Sequence, residues 1–154
     1  MPIRIGTPLP ELSAVAWING TPDRTALTGR PVLVHFWSVS CHMCHENMPT
    51  VAAWWREFAA AGLAVVSFHV PRADADLDEA KVQAHVRDLG IEEPCGLDHT
   101  LATSEVFQNT FVPSYYLFDA EGHLRSRTGG SAGLAMMRAA LERYCTPAAK
   151  QPLS

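Results

Sequence analysis

The sequence predicts a single α/β domain in which a central mixed β-sheet is flanked by helices on both faces. Three observations predict it. Two continuous apolar runs of strand length, residues 31–37 and 63–70, bracket a long amphipathic stretch, and such runs suit strands covered on both sides. Strand, helix and strand in that order make a right-handed βαβ unit with its strands parallel. Beyond Pro113 an apolar run turns at Asp119-Ala120-Glu121-Gly122 into a further strand pattern, and a turn of this kind joins antiparallel partners.

The elements follow in order. Residues 12–18 read as a strand closed by Asn19-Gly20, a strong turn dipeptide. A short turn or helical piece covers residues 23–27. After the strand at 31–37, residues 43–61 form a helix, because Met48, Val51, Ala52, Trp55, Phe58 and Ala59 recur at helical spacing. Pro49 should kink it and Gly62 ends it. In this reading Trp55 follows the core stripe and its neighbour Trp54 faces outward. The strand at 63–70 leads into a loop, where Arg72 and the carboxylates of residues 74–79 read as a solvated face. Asp76 and Glu79 have capping-box spacing for the next helix. That helix turns Val82, Val86 and Leu89 inward and stops at Gly90. A short strand over 94–97, a short helix over 100–107 and the hairpin strands 114–118 and 124–128 follow. Tyr115 and Tyr116 alternate across their strand, so one faces the core. The last helix starts near Ser131 with Leu134, Met137, Leu141 and Tyr144 on one face. The domain spans residues 1–145, and 146–154 read as a flexible C-terminal tail.

The 154 residues are 47% hydrophobic and 18% charged, enough apolar side chain for one well-built core. The formal net charge of −4, without any Lys/Arg cluster, argues against nucleic acid as a partner. No run is long enough to span a bilayer, and the first residues show no signal-peptide pattern, so the expected location is the cytoplasm and no membrane partner is expected. In a reducing compartment a cysteine pair is more often catalytic or metal-binding than structural.

Cys41-His42-Met43-Cys44 is the most informative stretch. It follows a buried-strand pattern and opens a helical one. Two thiols three residues apart at a helix N-terminus can close a small disulfide and open it again, because the free N–H groups and the dipole stabilise a thiolate. His42, when protonated, would stabilise the thiolate beside it and make the disulfide easier to reduce. Cys95 and Cys145 read as small buried hydrophobes.

The motif 36–44, Phe36-Trp37-Ser38-Val39-Ser40-Cys41-His42-Met43-Cys44, with Pro49 five residues after the second cysteine, resembles the thioredoxin-like thiol-disulfide oxidoreductases of the ResA/TlpA branch. So does Val112-Pro113-Ser114-Tyr115-Tyr116-Leu117-Phe118-Asp119. His35-Phe36-Trp37-Ser38 and His69-Val70-Pro71-Arg72 are similar to the leaderless cytoplasmic members of the YkuV type. The resemblance implies a thioredoxin-like fold with residues 12–18 as an N-terminal β extension. It implies Cys41 as the exposed attacking thiol, Cys44 as the buried resolving thiol and Pro113 as a cis-proline facing them. Trp37, Met43 and Val112 would then edge a substrate groove. Two positions depart from the pattern. His35 stands where thioredoxins carry a buried Asp, and Asn47, with Glu46 one residue earlier, stands where ResA-like chains carry a Glu. His35 is therefore the candidate to move the proton of Cys44.

The resulting expectation is a monomeric enzyme that reduces or exchanges protein disulfides and needs no cofactor or metal beyond its cysteine pair. Its partners would be disulfide-containing protein substrates and an upstream dithiol reductase. Two other uses of the fold stay open. One is a metal-handling protein that takes Cu or Zn through Cys41 and Cys44; the other is a non-catalytic adaptor.

Overall fold

A computed structural model describes residues 2–145; the tail expected at 146–154 lies outside the described residues. Six strands form one sheet in the order β1-β4-β3-β2-β5-β6. Strand β2 (Val32–Trp37) is central and every residue of it is buried, as its unbroken apolar run requires. It pairs in parallel with β3 (Ala64–His69), and β3 pairs in parallel with β4 (Cys95–Leu97). On the other side it pairs antiparallel with β5 (Ser114–Phe118), which turns back into β6 (Leu124–Gly129).

The pleat sorts the core into two layers. Val32, Val34 and Phe36 of β2 face one way, against Phe107, Tyr116, Phe118 and the N-terminal Ile3 and Leu9. Leu33 and Trp37 face the other way, under α2 (His42–Phe58), α3 (Glu79–Asp88) and α5 (Leu134–Tyr144). Tyr115 and Tyr116 are both buried, one in each layer, so the expectation that one of them faces a core understates the strand.

Three local expectations change. The strand read over 12–18 contracts to β1 (Trp17–Ile18), which pairs with Gly96 and Cys95 of β4, and Val15 and Ala16 before it add backbone hydrogen bonds to Leu97. Asn19 and Gly20 after it both take positive φ, as their turn chemistry predicts. On α2 the buried stripe is Cys44, Asn47, Met48, Val51 and Trp54, while Trp55 is only half-buried. The stripe runs on from Cys44 at steps of three and four, and reading it from Ala52 and Trp55 rotates it by one residue. Finally, the N-cap of α3 is Asp78, whose carboxylate accepts from the N–H groups of Ala80 and Lys81. Asp76 belongs instead to a tight turn over Asp74–Leu77 and is buried.

The remaining helices are short. α1 (Arg24–Leu27) is capped by Asp23, whose carboxylate accepts from the Thr25 N–H. α4 (Ala102–Val106) starts from Leu101 in a left-handed conformation without a side-chain cap of its own. Buried Asp98 takes over, accepting from the N–H groups of Thr103 and Ser104 at 2.9 and 2.8 Å. Among the described residues no helix is long and apolar enough to cross a membrane.

Candidate active site

The turn after β2 delivers the two cysteines. The N–H of Cys41 donates to the Ser38 carbonyl at 3.1 Å, which closes a turn over residues 38–41. Cys41 is the N-cap of α2, and Cys44 lies one turn on, on the buried face. The two are joined as a disulfide with their Cα atoms 5.3 Å apart. The N–H of Cys44 points at Cys41 Sγ from 3.1 Å. A thiolate formed on Cys41 would therefore meet a backbone donor and the positive end of a helix at once. Cys41 is 4% exposed and Cys44 1%, so in the disulfide form the attacking position is nearly as covered as the resolving one. The difference in exposure that the resemblance implies is slight.

Val112 packs against the cluster that holds Cys41, Cys44 and Trp37, and its bond to Pro113 is cis. Beside it opens a cleft of about 630 Å³ lined in part by Val70, Arg72, Leu101, Phe111 and Val112. Met43 is exposed, with its sulfur turned to Gly130, whose N–H donates to the Pro113 carbonyl at 3.0 Å. Met43, Phe111 and Leu101 are all exposed apolar side chains. Trp37 is fully buried and forms the floor, not an edge. His42 takes a different place from the one its sequence position suggests. Its side chain is 88% exposed and turns along the helix to Glu46, 2.8 Å away.

His35 is buried, and its Nε2 lies 2.8 Å from Oε1 of Glu93, itself 5% exposed. Its ring stacks on Tyr115, whose hydroxyl accepts from the Asn47 amide at 3.2 Å. Asn47 sits one turn beyond Cys44 on the same helix face. The layer under the resolving cysteine thus contains a buried acid after all. Nothing in the spacing of the sequence pointed to Glu93, which is 58 residues from His35.

Two further groups escape sequence reading. His69 is the last residue of β3's buried run, touches Trp37 edge-to-face and packs on His99, with ring centroids 5.2 and 5.5 Å away respectively. Burial first, and the neighbouring His99 second, push its imidazole down to about 4, so it is neutral at pH 7. His45, beside Cys44, is lowered by burial and then by His85, on which its ring tilts. The other group is Asp76, 1% exposed, which accepts from Ser40 Oγ at 2.7 Å and from the Arg72 N–H at 2.8 Å. The solvated face expected at residues 74–79 therefore has a buried centre. Cys95 is fully buried below Trp37, and burial raises its thiol to about 11, which keeps it out of exchange. Cys145 is likewise buried, and burial pushes its thiol to about 12. Among the described residues, Asp119, Glu121 and His123 bring three ligand atoms within 4.8 Å, at the other end of β5 from Pro113.

A disulfide that opens a helix after a central strand, faced by the segment of a cis-proline, defines a thioredoxin-like thiol-disulfide protein. The sequence profile of the AhpC/TSA family matches residues 5–127. The thiol-disulfide oxidoreductase YkuV of Bacillus subtilis is 38% identical over 143 residues, which cover 92% of this chain and 96% of YkuV. Protein DipZ of Mycobacterium tuberculosis is 34% identical over 122 residues, 75% of this chain but 17% of DipZ. A thioredoxin-like protein solved in solution in its oxidized form superposes with a TM-score of 0.84 at 37% identity, over 93% of this chain and 97% of that one. The chain belongs to the AhpC/TSA family of thioredoxin-like proteins, and it is a thiol-disulfide oxidoreductase.

Proposed function

We propose that the chain is a monomeric cytoplasmic reductase of protein disulfides, with Cys41 as nucleophile and Cys44 as resolving thiol. The observation that carries this is the Cys41–Cys44 disulfide at the start of α2, its Cys41 sulfur under the Cys44 N–H and Val112 packed on the same cluster. In the reduced enzyme the Cys41 thiolate attacks one sulfur of a substrate disulfide. A mixed disulfide forms, and the departing substrate thiolate takes a proton. Cys44 then loses its proton and attacks Cys41 Sγ. This releases the second substrate sulfur as a thiol and closes the enzyme disulfide. Substrate gains two electrons and two protons, and an upstream dithiol reductase returns the electrons to the enzyme.

The substrate segment lies between Met43 and Val112–Pro113, over the Trp37 floor. The apolar collar of Met43, Leu101 and Phe111 supports a protein partner, since exposed apolar side chains gathered around one site mark contact surfaces. His35, held by Glu93, accepts the proton of Cys44 through the layer beneath α2.

The test is reduction of a disulfide-bonded protein such as insulin by the reduced enzyme. Cys41→Ser abolishes turnover, Cys44→Ser accumulates the mixed disulfide, and His35→Gln slows resolution with attack unchanged. Turnover by Cys41→Ser at the wild-type rate overturns the assignment. A reduction potential near about −270 mV supports net reduction, and one above roughly −200 mV reverses the direction. Tight zinc or copper retention by the reduced protein without disulfide turnover replaces the reading with metal handling.

A further inference from the structure

The turn that carries Cys41 is held by a buried carboxylate on another element. Asp76 Oδ2 accepts from Ser40 Oγ at 2.7 Å, from the Arg72 N–H at 2.8 Å and from Ser38 Oγ at 3.3 Å. Ser38 in turn supplies the carbonyl that accepts from Cys41, so every member of the 38–41 turn except Val39 is tied to this one group. Burial opposes the charge on Asp76, yet the hydrogen bonds from Arg72, Ser40 and Ser38 hold it below the ordinary carboxylate range, so it is an anion at pH 7. A full negative charge thus sits one hydrogen bond away from the residue that precedes the nucleophile.

The surrounding groups do not cancel it. Lys81 Nζ is 3.8 Å from Oδ1, but its side chain is 38% exposed and therefore screened by water. The Arg72 guanidinium is exposed and donates to the Ser40 carbonyl at 3.4 Å. His69 is neutral, and His42 is turned to Glu46 at the surface. A charge buried at 1% exposure acts through a poorer dielectric than these exposed cations do.

We infer that Asp76 is a positioning residue that both fixes the Cys41 turn and opposes the helix N-terminus, making the Cys41 thiolate less stable and the enzyme a stronger reductant. This rests on the redox reading of Cys41 and Cys44. The sign follows from the two-electron balance: the disulfide takes two electrons and two protons to give two thiols, and whatever stabilises a thiolate favours the reduced form.

The experiment equilibrates the pair against reduced and oxidised glutathione at pH 8 and follows the pH dependence of Cys41 alkylation. Asp76→Asn keeps an acceptor for the serines and removes the charge. It shifts the equilibrium roughly tenfold toward the dithiol, about 30 mV for a two-electron couple, and moves alkylation about one pH unit lower. Lys81→Met removes the partial counter-charge and shifts both readouts the opposite way. Unchanged equilibrium and alkylation in Asp76→Asn, or shifts of the same sign in both variants, overturn the inference and leave Asp76 a structural brace. A wild-type pair that shows no reversible couple with glutathione defeats the redox reading itself.

Discussion

At the scale of single residues, the chemistry around the disulfide is set by burial more than by adjacency. His42 touches the nucleophile in sequence but spends its side chain on Glu46 at the surface. His69, remote in sequence, lies fully buried against Trp37 with its imidazole near 4. That shift has a consequence for stability. The unfolded chain takes up a proton on this histidine near pH 6.5, whereas the folded chain resists until about pH 4. Between those values the unfolded state binds more protons, so stability is complete above about pH 6.5 and falls as the pH drops toward 4. The full loss is about 3 kcal/mol for one such group. Urea unfolding at a series of pH values should show this slope in the wild type and a flatter one in His69→Gln. Equal slopes in the two proteins would mean that His69 titrates normally.

At the scale of elements, α2 carries both the reaction and a large share of the packing. Its stripe from Cys44 to Trp54 covers β2 and β5, where Trp54 meets Tyr115 edge-to-face at 6.1 Å. Trp54 is 3% exposed, and Trp55 is only half-buried. Trp54→Ala should therefore cost about 3–5 kcal/mol in denaturant unfolding, because truncating a buried aromatic removes transfer energy and leaves a cavity. Trp55→Ala should cost less than half as much. The reverse ranking would restore the stripe that the helical spacing of Ala52 and Trp55 suggests. The helix also ends as its sequence requires, with Gly62 at φ 90° beyond a last tight turn.

At the scale of the whole molecule, the His35–Glu93 pair links the centre of the sheet to its edge. Glu93 precedes β4, its carbonyl accepts from the Asn19 amide at 3.1 Å, and its carboxylate crosses to β2. The turn after β1, the entry to β4 and the central strand are tied together under the helices. Breaking one side of a buried, hydrogen-bonded pair leaves the other uncompensated, so Glu93→Ala should lose about 3 kcal/mol in thermal or urea unfolding. Replacing both residues by leucine should recover much of that loss while removing the proton acceptor proposed for Cys44. A double variant that resolves mixed disulfides at the wild-type rate would refute that role.

The sequence by itself determined the order of strands and helices, the parallel β2–β3 unit, the hairpin after Pro113 and the pair Cys41–Cys44. All of these are written in local patterns: unbroken apolar runs, helical spacing, turn dipeptides and two cysteines three residues apart. The choice of Trp54 over Trp55 lay at the edge of this reach, because both border the stripe and only packing against Tyr115 separates them. Tertiary structure alone decided the rest. Glu93 meets His35 across 58 residues, and Asp76 meets Ser40 across 36. His69 gains its neutrality from the rings that enclose it. A carboxylate near a glycine or a turn reads as solvated in one dimension, since charged groups are costly to bury. Only the fold supplies the donors that make a buried carboxylate affordable, and it supplies them from segments that no local pattern connects.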